Sequence, residues 1–88
     1  MNSVIYSYHS ANKTIQCQHD EKMKTVNERI RQELGIQNAN ISYLYNGTKL
    51  NEELKFDEIS DGKQTINIII YDYEVNKNDE YIESKDII

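Results

Sequence analysis

The sequence predicts a small two-layer α+β domain, one α-helix packed against a mixed sheet of four to five strands. Three observations carry that expectation. Apolar residues alternate with a period of two near both ends of the first 71 residues, at Ser3 to His9 and Thr65 to Tyr71. Between them Met23, Val26, Ile30 and Leu34 recur at spacings of three and four, the stripe of an amphipathic helix. Asn46-Gly47 then follows the β-rich run Ile41 to Tyr45, and this dipeptide is a strong hairpin signal because both positions tolerate positive φ.

In chain order, Val4, Tyr6 and Tyr8 are expected to face the core from the first strand, with Ile5 on its opposite face. Ser10 to Lys13 supplies small and polar turn residues, and Thr14 to His19 resumes the alternation, so the two runs form a first hairpin. Asp20 is the expected N-cap of the helix, and Gly35 its left-handed terminator. Thr48 to Leu50 returns from the Asn46-Gly47 turn as a short strand. Asn51 to Lys63 is polar with Leu54, Phe56 and Ile59 as anchors, an irregular segment with one helical turn. Ile66, Ile68 and Ile70 alternate with Asn67, Ile69 and Tyr71, and a strand apolar on both faces belongs at the centre of a sheet.

Eighty-eight residues suffice for one domain, and so small a domain buries only about 60% of the surface its unfolded chain exposes. Residues 1–72 read as that domain and residues 73–88 as an acidic tail. Residues 72–88 hold six acids against Lys77 and Lys85, whereas residues 1–71 hold nine acids against eight bases, so the body is nearly neutral and the charge of −5 is concentrated in the tail. Without a basic stripe to neutralise phosphates, nucleic acid is not an expected partner. Residues 68–71, the longest strongly apolar run, fall far short of the ~20 needed to span a bilayer, and Met1 to Ser10 lacks the pattern of a secretory signal. Cys17 is the only cysteine, which excludes an internal disulfide and fits a reducing compartment. The expectation is an intracellular protein, cytoplasmic or nuclear.

Residues 3–71 resemble a ubiquitin-like domain of the β-grasp fold. The resemblance rests on Asn12-Lys13-Thr14-Ile15, on Val26, Ile30 and Gly35-Ile36, on the run from Tyr43 to Leu50, and on Ile66, Ile68 and Ile70. It implies a binding module whose outer sheet face is gripped by partners, with Leu44 and Ile69 matching two of ubiquitin's three central hydrophobic positions. Ser10 or Ala11 stands at the third, and the flanking basic and imidazole positions hold Ser42, Thr48, Asn67 and Asp72 instead. Conjugated relatives end in a diglycine, but no glycine follows Gly62 here, so the resemblance implies action by binding without attachment to targets.

The strand parity reaches the same face without the resemblance. If Val4, Tyr6 and Tyr8 point inward, Ile5, Leu44, Ile69 and Tyr71 share the outer surface, with Gly47 in the adjoining turn, and a shared apolar patch marks an interaction site. Catalysis is not expected. Cys17 and His19 stand two apart on one predicted strand face, with His9 on the adjacent strand, but i and i+2 side chains are ~6.5 to 7 Å apart and no orienting group or oxyanion donor accompanies them. Glu52, Glu53, Asp57, Glu58 and Asp61 lack the ligand order and central glycine of a calcium loop, so no metal or cofactor is expected. The tail reads first as a flexible segment, with Tyr81, Ile82 and Lys85, together with Glu74 and Asp79, offering a helical turn or two, or strand addition to a partner, as the alternative. The expected role is a non-catalytic adaptor bound to protein partners, monomeric or part of a complex; the alternative is a structural subunit of a large assembly.

Overall fold

A computed structural model describes residues 2–37 and 40–73. Its elements in order are β1 (Asn2–Tyr8), β2 (Ala11–Cys17), α1 (Met23–Leu34), β3 (Ile41–Tyr45), β4 (Thr48–Lys49), α2 (Phe56–Ser60) and β5 (Thr65–Asp72). The strands form one five-stranded sheet in the order β2-β1-β5-β3-β4. β1 and β5 run parallel at its centre and the other neighbours are antiparallel, giving the mixed sheet of a β-grasp fold. A parallel pair cannot be closed by a hairpin, and everything from β2 through α1, β3, β4 and α2 lies in the connection between β1 and β5.

The first turn differs from the sequence expectation. It occupies only His9 and Ser10, both left-handed (φ 47° and 68°), and Tyr8 pairs directly with Ala11, so β2 starts three residues early and ends at Cys17. The sequence gives no sign of it, because neither residue is Gly, Asn or Asp, the usual carriers of positive φ in such turns. One neighbour contact and one tertiary contact hold it instead: the His9 ring stacks on Tyr8 at 4.0 Å, and its Nε2 lies 3.4 Å from the buried Asp72 carboxylate. Asn46 and Gly47 form the expected two-residue turn, with φ 52° and 81°.

Helix α1 starts after Lys22, not after Asp20, and no side chain caps it. The amides at its start donate to the neighbouring loop, Met23 N–H to the Leu54 carbonyl and Lys24 N–H to that of Glu52. The favour is returned at α2, where the amides of Phe56 and Asp57 donate to the carbonyls of Glu21 and His19. Each segment satisfies orphan donors of the other helix, and at α2 the Glu58 side chain also accepts from the Lys55 amide at 2.9 Å. At the other end Gly35 is left-handed as expected, and the Gly35 and Ile36 amides close back onto Gln32 and Arg31.

The core lies between α1 and the sheet. Val4, Tyr6, Ile66, Ile68, Ile70 and Tyr43 from the sheet meet Met23, Val26 and Ile30 from the helix, and Ile36, Leu50 and Phe56 close the ends. A hydrogen-bonded polar network is built into it. The Tyr6 hydroxyl donates to Asn27 Oδ1, and Asn27 Nδ2 donates to Glu52 at 2.9 Å. Burial drives the Tyr6 phenol far above its usual pKa, so it stays a protonated donor.

A candidate protein-binding face

Because side chains alternate along a strand, the registers assign a face to every strand residue. Val4, Tyr6, Ile66, Ile68 and Ile70 are buried against α1, which turns Ile5, Ile69 and Tyr71 to the opposite side. Leu44 pairs with Ile69 and Ser42 with Tyr71, so β3 contributes these two to the same outer face. Lys49 joins them as the partner of Leu44.

Leu44, Ile69 and Tyr71 are direct neighbours on this face, whereas Ile5 stands one row away, paired with Asn67 and Thr14 and diagonal to Ile69. The four are not equally open to solvent. Ile69 is 53% exposed, while Ile5, Leu44 and Tyr71 are half-buried. The expectation of four large exposed apolar residues is thus corrected to one exposed residue set in a half-buried surround. The half-buried residues lie between neighbouring side chains in the sheet, which the residue parity of a single strand does not register. Gly47 lies exposed in the β3–β4 turn, and a Cβ added there would meet nothing within 4 Å, so its positive φ, not close packing, calls for glycine.

Tyr73 is part of this face and lies outside the expected domain boundary. It continues the alternation of Ile69 and Tyr71, is 41% exposed, packs edge-on against the Tyr71 ring at 4.8 Å, and its hydroxyl accepts a hydrogen bond from Ser42 at 3.2 Å. Its amide donates to the Asn40 carbonyl, which ties the chain to the sheet one residue beyond β5. The i, i+2 spacing of two tyrosines was the available sequence signal, masked by the acids on either side.

The residues weighed for chemistry are separated. Cys17 closes β2, buried at 3% exposure, and burial pushes its thiol up, the direction that suppresses a nucleophilic thiolate. His19 does not share its strand face, as the sequence reading had it. It lies beyond the strand, exposed, with Nδ1 3.7 Å from Asp57. His9 sits in the first turn at the opposite end of β2, beside Tyr8 and Asp72. A shallow hollow of about 130 Å³ beside Cys17 is lined by Gln16, Gln18, Glu21 and Arg29, and the Glu21–Arg29 ion pair, 2.8 Å apart, borders it. Among the described residues no three His, Cys, Asp or Glu side chains are grouped to hold a metal, and no helix is long and apolar enough to cross a membrane. The tail residues Tyr81, Ile82 and Lys85 lie outside the described residues.

No protein-family model and no curated protein sequence matches the chain. Solved structures do. The chain is similar to the crystal structure of ATBAG1 in complex with HSP70, with a TM-score of 0.70 at 14% identity over 99% of this chain and 49% of that one. It is also similar to the crystal structure of the pParkin-pUb-UbcH7 complex, with a TM-score of 0.68 at 17% identity over 81% of this chain and 22% of that one. In both cases it spans less than half of the matched chain. The fold is the ubiquitin-like β-grasp.

Proposed function

We propose that this domain is a non-catalytic protein-binding module that docks a partner on the outer face of its sheet, around Ile69 and Leu44 with Tyr71 and Ile5 beside them. One observation carries the reading. The central strand of the sheet presents an isoleucine that is 53% exposed, with a leucine opposite and a tyrosine two residues on, where folding gains nothing from its exposure. Burial pushes the Cys17 thiol up, away from a nucleophilic thiolate, and His19 lies exposed beyond the strand beside Asp57, which supports a role in binding over one in catalysis. Both structures cited above are protein complexes, which agrees with this reading. Action without conjugation to targets is part of the proposal, since the residues that follow β5, Tyr73 to Asn78, include no glycine. A reducing cytoplasmic or nuclear setting suits the single thiol.

The test is the double variant Leu44→Ala, Ile69→Ala. Both side chains leave the outer face without opening a cavity in the core, so circular dichroism should match the wild type. Truncating central interface residues costs ~2 kcal/mol or more, so proteins captured by the immobilised wild type should bind the variant about 30-fold more weakly. Equal capture by a folded variant would remove this face from consideration.

A further inference from the structure

We infer that the outer sheet face selects partners whose contact surface is uncharged, an apolar ridge flanked by neutral polar groups. The inference rests on the proposed docking face and adds the chemistry of its ligand.

Charged residues make up 28% of the chain, and seventeen of them fall within residues 1–71. Few of them belong to the strands that build the outer face. Within the strands the charged residues are Lys13, Lys49 and Asp72. Lys13 pairs with the inward-facing Tyr6 and reaches Glu33 of α1 at 3.3 Å, so it belongs to the helix side. Asp72 is also on that side, where Tyr8 donates to it. Only Lys49, at the β4 edge beside Leu44, carries a charge outward. Apart from Lys49, the strand residues flanking the apolar row, among them Ser7, Asn12, Thr14 and Asn67, are neutral.

Away from Lys49, a charged group brought onto this surface surrenders its water and meets no opposite charge among the strand residues, a penalty that a neutral amide or hydroxyl hydrogen-bonding to Asn12 or Asn67 avoids. Selection therefore works through desolvation. With so little charge at the contact, association is not steered electrostatically, and affinity is nearly independent of salt.

The test uses the full chain labelled with ¹⁵N and three synthetic amphipathic helical peptides that share one leucine stripe. Their flanking positions are all Gln, all Glu or all Lys. The Gln peptide is expected to shift the amides of Leu44, Ile69 and Tyr71, to lose that effect with Ile69→Ser, and to change affinity less than about twofold from low to high salt. It is expected to bind at least about tenfold more tightly than either charged peptide, the equivalent of 1.4 kcal/mol. Tighter binding of the Glu or Lys peptide, weakening steeply with salt, would overturn the inference while leaving the face a docking surface. If none of the three shifts these amides, the docking reading fails together with it.

Discussion

Tyr6 and Asn27 form a hydrogen bond at the centre of the core, and its removal from one side or from both gives different outcomes. Tyr6 is fully buried and Asn27 is 1% exposed, so neither can exchange its partner for water. Tyr6→Phe deprives Asn27 Oδ1 of its donor, and Asn27→Leu deprives the phenol of its acceptor. An orphaned buried polar group costs about 1 to 3 kcal/mol, and each single variant is expected to lose that much. Asn27→Leu also releases Glu52, which is only half-buried and can turn to solvent, so little is added. The double variant places Phe beside Leu with nothing left unpaired. Its loss should fall short of the sum of the singles by about 1 to 3 kcal/mol. In a domain of this size 1 kcal/mol moves the thermal midpoint by roughly 4 to 8 °C, so urea and thermal unfolding of the four proteins resolve the cycle easily. Losses that add to within about 0.5 kcal/mol would show that the two groups are not coupled, and the network would have no energetic meaning.

Ile30→Ala should destabilise the chain by about 2 to 5 kcal/mol, because Ile30 is fully buried in the middle of the α1 stripe and its truncation leaves a cavity under the sheet. An unchanged thermal midpoint would mean that this face of α1 does not pack there. The fold should also weaken in alkali. Burial raises the pKa of both Tyr6 and Tyr43, so the folded chain holds its phenolic protons more tightly than the unfolded chain. Their contribution is complete below the ordinary tyrosine pKa of ~10 and is lost as the pH climbs above it. Thermal midpoints measured from about pH 7 upward should begin to fall above pH ~8.5, where the thiol of the unfolded chain ionises but buried Cys17 resists, and fall more steeply beyond pH ~10, with phenolate absorbance rising as the chain unfolds. Tyr6→Phe should flatten that fall, and a midpoint insensitive to alkali would contradict the burial of the phenols.

The order of elements was legible because it depends on local periodicity. The stripe Met23, Val26, Ile30, Leu34 has one helical reading, and the alternating isoleucines of Thr65 to Tyr71 one strand reading, whatever surrounds them. Gly35 and Asn46-Gly47 were equally plain, since their positive φ follows from residue type. The His9-Ser10 turn was not, because tertiary contacts with Asp72 hold residues that have no strong preference for that conformation. The start of α1 was missed for a related reason. Asp20 has the chemistry of a cap, yet the loop carrying Glu52 and Leu54 supplies acceptors from 28 or more residues away, and no local signal reports that.

The candidate face divides in the same way. Sequence parity alone put Ile5, Leu44, Ile69 and Tyr71 on one side of the sheet, because a pleated strand must alternate. Which of them touch depends on register: the Leu44–Ile69 and Ser42–Tyr71 pairs, the offset of Ile5 toward Asn67, and the return of Tyr73 onto Tyr71 come from pairings between distant strands. The neutrality of that face is likewise a tertiary property. Residue counts do not show on which side of the sheet a charge falls; strand pairing puts Lys13 and Asp72 on the α1 side and leaves Lys49 as the one strand charge directed outward.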